Sequence, residues 1–216
     1  MPRQVDHAGR RRLIAEAVCR LADESGLEGV TLRDVAARAQ VSMGAVQRCF
    51  RTKEEMLVFA LGHIGERIGE RVQARLVRSP AQSAGTALGH AADEISLLRE
   101  EHRAEARVWL AFVAQAAVSK ALARTLKANY AALQETFARL VSEAGEGTGS
   151  AVPLDPQREA RTLLALADGL TTHVLIGHLT PHEAHGILHT HLAGLWDQRV
   201  RPPHTASHLP NRPDTV

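Results

Sequence analysis

Apolar residues recur along this chain at three- and four-residue intervals, the spacing of one face of an α-helix. Leu13, Ile14, Ala17, Val18 and Leu21 predict a first helix over roughly residues 7–25, closed by Gly26 and Gly29. Leu32, Val35, Ala36 and Ala39 mark a short second helix, with Thr31 as cap and Asp34 three residues on, as in a capping box. Ser42 can cap a third, Met43–Cys49, that turns only Val46 and Phe50 inward. Thr52 and Glu55 then start a long helix reaching about Arg78, with Leu57, Leu61, Ile64, Ile68, Val72 and Leu76 as its stripe. Its length would be ~39 Å, enough to connect two domains.

Ser79-Pro80 interrupts the periodicity, and two helices are expected over 81–101 and 102–119. Residues 108–119 carry no charge, which predicts a buried central helix. A further helix over 120–143 directs Leu122, Leu126, Tyr130, Leu133, Phe137, Leu140 and Val141 inward. The glycine-rich stretch 145–150 lacks a Gly-Lys-Ser/Thr ending and lies between helices, so it is read as a loop and not as a phosphate cradle. Asp155 followed by Pro156 is a strong helix start. The helix it opens has one stripe of Leu163, Leu166, Ala167, Leu170 and Val174 and another side with Leu164 and Leu175, so it must be covered on two sides. Thr180-Pro181-His182-Glu183 opens the last helix, expected to bury Ile187, Leu188, Leu192, Leu195 and Trp196. The pattern gives an all-α chain: an N-terminal three-helix bundle over 1–52, a larger helical domain over 53–198 and a tail over 199–216 expected to be disordered.

At 216 residues both units can bury a core. The net charge of +2 is unevenly spread: ten Lys or Arg against six Asp or Glu give +4 in residues 1–53 and leave −2 for the rest. A basic N-terminal unit fits contact with nucleic acid, and a solvated basic surface would look the same. Arg3, Arg10, Arg11 and Arg12 form a polar arm that can follow phosphates, enter a minor groove or serve as a solubilising tail. Two cysteines, Cys19 and Cys49, make no disulfide framework and fit a reduced compartment. Cys49 is read as a small buried residue in preference to a redox sensor. With no convincing membrane span and no signal peptide, a cytoplasmic protein is expected.

The second and third helices with their tight turn form a helix-turn-helix, whose second helix enters the major groove. Its outward positions are Met43, Gly44, Ala45, Gln47 and Arg48: small residues that permit close approach, plus an amide and a guanidinium for base edges or phosphates. Thr31, Arg33, Ser42 and Lys53 complete the expected DNA-contact set. A lysine in the first turn of a helix is electrostatically unfavourable, and a phosphate beside Lys53 would remove the objection.

The run Thr31, Val35, Ala36, Ala39, Gln40, Val41, Ser42, Gly44, Gln47, Phe50, Lys53 and Met56 resembles the motif of TetR-type bacterial transcription regulators. That motif reads Thr-x-x-x-Ile-Ala-x-x-Ala-Gly-Val-Ser-x-Gly-x-x-Tyr-x-x-Phe-x-x-Lys-x-x-Leu. Gln40 stands where the family has its turn glycine, and Gln47 stands in place of a phosphate-contacting tyrosine. The segment from Arg103 through Trp196, with ARVWLAFVAQA and ALADGL, further resembles the C-terminal domain of the BetI-like branch. The resemblance implies a homodimeric, ligand-responsive regulator, usually a repressor, on a palindromic double-stranded DNA operator. It also implies that Lys53 contacts the DNA backbone and that the long helix transmits the ligand signal. The last two helices would pair with those of a second copy as a four-helix bundle. Leu163, Leu166, Leu170, Val174, Leu188, Leu192, Leu195 and Trp196 are the expected dimer residues.

For an effector pocket the expected residues are Trp109, Phe112, Gln115, Asp168, Thr172 and His173. Asp168 is the only Asp, Glu, Lys or Arg between residues 162 and 182. It can meet a cationic ligand, although an internal partner is the favoured reading. His182, His185 and His189 share a helical face, with His173 and His178 before them, but no cysteine or carboxylate set completes a metal site. They are read as solvent-facing, with no metal and no cofactor. A metal-sensing regulator and, more distantly, a hydrolase are the alternative functions; no nucleophile elbow or complete zinc-enzyme signature supports an enzyme.

Overall fold

The structure, a computed structural model, describes residues 6–78, 83–146 and 154–197. Within these lie α1 (His7–Ser25), α2 (Leu32–Arg38), α3 (Met43–Cys49), α4 (Lys53–Arg78), α5 (Ala84–Ile95), a 3-10 turn (Glu100–His102), α6 (Arg103–Ala116), α7 (Lys120–Glu146), α8 (Pro156–Leu175) and α9 (Pro181–Asp197). Arg3, the Ser79-Pro80 break, most of the glycine-rich loop and the tail expected after Gln198 fall outside the described residues, as does the side chain of Trp196.

The helix starts follow their capping chemistry. Asp6 accepts the Gly9 N–H at 2.8 Å to open α1, and Gly26, at φ 72°, ends it by returning its N–H to Ala22. Thr52 accepts the Glu55 N–H at 3.0 Å, while the Glu55 carboxylate takes the N–H of Arg51. Asp155 accepts from both Gln157 and Arg158 at the start of α8, with Pro156 at its first position. Thr180 and Glu183 exchange reciprocal bonds at α9, which keeps the Glu183 carboxyl below its usual range.

The N-terminal head is α1–α3 closed over the first turns of α4. Ile14, Ala15, Ala17, Val18 and Ala22 are the buried face of α1. Leu13, expected on that face, is 50 % exposed, because the inward stripe is centred one position further on and Ala15 occupies it. Met56, Leu57 and Ala60 of α4 belong to the same core, so a division at 52/53 passes through shared packing. Phe59 of α4 meets Phe50 with ring centroids 5.5 Å apart.

The helix expected over 81–101 stops at Ile95. The Ser96 N–H closes onto Ala92, and Leu97 takes a left-handed φ of 48°. No glycine or proline marks this break. Leu97 and Leu98 are both buried there, and the Ser96 carbonyl accepts the Thr171 hydroxyl at 2.6 Å, so tertiary packing overrides local helix preference. Likewise α6 begins only at Arg103, and it is one-sided: Val108, Trp109, Phe112 and Ala116 point inward, whereas Val118 beyond its end is 80 % exposed.

Helix α8 is covered from within one chain, by α5, α6, α7 and α9. This corrects the dimer assignment at the buried positions. Leu163, Leu170, Val174, Leu188, Leu192 and Leu195 are buried in the chain's own core, and Leu166 is partly buried against it. Ile187, expected to be buried, is 43 % exposed; it shares the outer surface of α8 and α9 with Thr172, Ile176, Thr190 and Ala193. His182 does face solvent, but His185 and His189 turn their rings to Asp93 of α5.

Candidate nucleic-acid interface and effector cleft

Helix α2 starts with Thr31, whose hydroxyl accepts the Asp34 N–H and donates to the Asp34 carboxylate at 2.6 Å. Its end is a Schellman closure: Gln40 N–H bonds Ala37 O at 3.1 Å and Val41 N–H bonds Ala36 O at 3.0 Å. Gln40 holds φ 54° at the position that normally favours glycine. Ser42 then caps α3 through the Ala45 N–H. Ala45 and Cys49 join Val46 and Phe50 on the inner side. Ala45 is only 6 % exposed and drops out of the expected DNA-contact set, because a seven-residue helix wedged against α1 and α2 buries half its circumference.

Met43, Gln47 and Arg48 stay exposed, as do Thr31, Arg33 and Ser42. Gly44 is open: a side-chain carbon there would meet only Arg48 Nη1, at 3.7 Å. Lys53 is half-buried and donates through Nζ to Glu28 O at 3.3 Å. Arg38 bonds Glu24 with both nitrogens, at 2.7 and 2.6 Å, tying α2 to α1.

Arg11, read from sequence as part of a polar arm, has a different place. Its guanidinium lies 4.5 Å from the ring centroids of both Phe50 and Phe59, donates to Cys49 O at 3.3 Å and comes within 3.9 Å of Glu55. Arg11 therefore fixes the end of α3 against α1 and α4. The sequence signal for this was an arginine on the inner border of α1, hidden by its basic neighbours.

The residues expected to form a ligand pocket are not brought together. Phe112 is fully buried, Gln115 is at the half-exposed edge of α6, and Thr172 and His173 face solvent. Trp109 and Asp168 do meet. Trp109 Nε1 donates to Asp168 at 3.1 Å, Tyr130 donates its hydroxyl to the other carboxylate oxygen, and the two rings pack edge to face. Burial raises the Asp168 pKa while these two hydrogen bonds lower it, and burial also raises that of Tyr130. The carboxylate thus has the internal partners favoured from sequence.

A cleft of about 500 Å³ opens instead where the head meets the helical body. Glu16, Cys19, Arg20 and Asp23 of α1 form one wall, and Arg67 and Arg71 of α4 with His102 and Glu105 form the other. Arg71 pairs with Glu105 at 2.6 Å, and Arg107 with Asp23 at 2.5 Å, the latter joining α6 to α1. Burial, then the charge of Arg71, depresses the His102 pKa; its Nδ1 has no partner among the described residues. Burial pushes the Cys19 thiol up to about 12. A smaller cleft of about 230 Å³ continues past Arg71 and His102 to Arg75, Arg78 and Arg99. Glu16, Asp23, Glu101 and Glu105 face Arg20, Arg67 and Arg71 in the first cleft, and Glu94 and Glu101 join the arginines of the second, so the walls carry both signs of charge and suit a polar ligand.

Residues 14–58 match the family described as bacterial regulatory proteins of the TetR family, and residues 84–197 match the BetI-type transcriptional repressor C-terminal domain. The chain belongs to the TetR family. It is similar to the HTH-type transcriptional regulator PksA of Bacillus subtilis, 33 % identical over 178 residues, covering 82 % of this chain and 83 % of that one. A transcriptional regulator from Rhodococcus sp. Rha1 superposes with TM-score 0.75 at 30 % identity, over 89 % of this chain and 99 % of that one. The regulator from Saccharomonospora viridis solved in complex with choline shares the fold, with TM-score 0.75 at 23 % identity over 86 % of this chain and 96 % of that one. As a TetR-family protein with a repressor-type C-terminal domain, this chain is a DNA-binding transcription regulator and not an enzyme. The metal-sensing alternative finds no support in these relatives.

Proposed function

We propose that two copies of this chain grip a roughly palindromic operator, each laying α3 in a major groove, and that a small-molecule effector changes the spacing of the two heads. The observation that carries this is the split character of α3: Ala45, Val46 and Cys49 are locked inside, while Met43, Gln47 and Arg48 project outward beside the open Gly44. Gln47 and Arg48 read base edges, and Thr31, Arg33, Ser42 and Lys53 hold phosphates. The division of labour is residues 1–52, completed by the first turns of α4, for DNA, and the helices from there to residue 198 for effector and partner. The outer faces of α8 and α9 are the pairing surface. Ile176 and Ile187 are exposed there, and Gly169, Gly186 and Gly194 leave open space beside them. Half-sites one helical turn apart, ~34 Å, suit such a pair. The protein works in the cytoplasm, with the DNA.

The effector reading rests on the cleft between α1, α4 and α6. A ligand there touches head and body together, so it has different affinities for the two head orientations, which is all that coupling requires. Selection of bound sequences from random duplex DNA, followed by a salt titration on the winner, tests the proposal. A two-fold symmetric sequence bound by two chains is the expected result. An asymmetric site bound by one chain, or no enrichment, would overturn it.

A further inference from the structure

Helix α9 places His185 and His189 one turn apart on one face, and that face looks onto α5. Asp93 of α5 meets both: its Oδ1 lies 2.8 Å from His189 Nε2 and 3.4 Å from His185 Nε2. The two imidazoles stack, with centroids 4.1 Å apart and planes 24° from parallel. Gly89, one turn before Asp93, lies beside the pair: a side-chain carbon there would sit 3.9 Å from His189 Cε1, an ordinary contact. The carboxylate that the sequence of α9 lacks is thus supplied from nearly a hundred residues earlier in the chain.

From the convergence of these three side chains on one point, we infer that Asp93, His185 and His189 bind a divalent transition-metal ion of the zinc class, stapling α9 to α5. The three ligand atoms lie within 4.8 Å of one another. Around a tetrahedral zinc, with bonds of 2.0–2.2 Å, neighbouring ligand atoms stand about 3.3 Å apart, so small ring rotations suffice. A carboxylate serving only as a hydrogen-bond acceptor has two oxygens and about four lone-pair directions to share. Here both rings aim at the same oxygen, an arrangement in which a cation between them replaces a crowded pair of donors. Two imidazoles and one carboxylate select zinc, nickel or cobalt over magnesium and calcium, which take oxygen ligands. His185 is half exposed, so the fourth position opens to water. The role is that of a brace on the C-terminal helix, independent of how the regulator is controlled.

Tag-free, full-length, metal-stripped protein is titrated with Co²⁺ and Zn²⁺, with Mg²⁺ as the hard-cation control. One equivalent of Co²⁺ is expected to give the intense visible bands of a tetrahedral nitrogen and oxygen site, and Zn²⁺ to displace it and raise the melting temperature; Mg²⁺ does neither. Asp93→Asn and His189→Gln should each weaken Zn²⁺ binding at least roughly ten-fold, given that even outer-shell partners of metal ligands are worth that much. His185→Gln, at a more exposed position, supplies the same test if either of those variants fails to fold. A double His173→Gln/His178→Gln variant removes the neighbouring pair, whose rings lie 4.9 Å apart, and should leave binding intact. Absence of tetrahedral Co²⁺ bands, or Zn²⁺ affinity unchanged in the Asp93 and His185 variants, would overturn the site. Operator binding is read separately and does not depend on the outcome.

Discussion

The Arg11 guanidinium lies 4.5 Å from the centroid of Phe50, the residue at which the recognition helix ends. It closes the head at the end of α3, also touching Phe59 and the Cys49 carbonyl. Arg11→Ala should destabilise the protein by about 1–2 kcal/mol, as expected for a partly desolvated cation over two rings. Arg11→Lys should recover only part of this, since an ammonium cannot lie flat on both. Urea unfolding of the three proteins gives the comparison; a lysine variant as stable as wild type would rule out the planar contact.

Gly44 separates folding from recognition. A methyl at that position meets only the end of Arg48, at ordinary contact distance, and alanine is the better helix former. Gly44→Ala should leave stability unchanged or raise it by roughly 0.5 kcal/mol, while operator affinity falls at least ten-fold because the methyl stands between α3 and the groove. Thermal melts and a DNA titration on the same preparation check both halves.

Gln47→Ala and Arg48→Ala should each cost about 1–3 kcal/mol on the selected operator and little on random duplex, as base-reading contacts do. Lys53→Ala should weaken both kinds of DNA alike and reduce the slope of log affinity against log salt by about one. Equal losses on operator and random duplex for Gln47 and Arg48 would remove them from base reading.

Asp168→Ala leaves the Trp109 N–H and the Tyr130 hydroxyl without their shared acceptor, an expected loss of about 2–4 kcal/mol. The pH dependence has a definite sign. Burial holds this carboxyl above its usual range, so the folded chain keeps the proton to higher pH than the unfolded chain does. Its contribution to stability is therefore greatest in acid and declines as pH rises from about 3.9 through the raised folded value. Asp168→Asn lacks that decline, and its stability relative to wild type should climb across the same interval in denaturant titrations.

Much of the fold was legible because its helix ends are chemical. Asp155-Pro156, Thr180-Pro181 with Glu183, Ser42 and Thr52 each announce a first turn, and the structure starts helices at all of them. The break after Ile95 was not legible, since it depends on Thr171, 75 residues away, holding the Ser96 carbonyl. Leu163 and Leu188 were placed at a dimer seam because periodicity shows that they are covered, not by which chain. Trp109 and Phe112, expected in a pocket, pack solidly as the aromatic spacing alone favours, while the observed cleft is lined by charged residues that sequence reading treats as surface. The outward face of α3 was readable except at Ala45, a residue small enough to fit either side.

The partly buried place of Cys19 on the cleft wall has a practical consequence for following this protein in motion. A thiol held up to about 12 is almost entirely protonated at neutral pH and reacts slowly with alkylating probes. Cys49 is shielded inside the head. A single new cysteine at Leu13, half exposed on α1, can therefore be spin-labelled once Cys19, which lines the cleft, is replaced by serine, with Cys49 left in place. In the proposed pair of chains, one label per head would turn their separation into a directly measured distance distribution, with and without DNA.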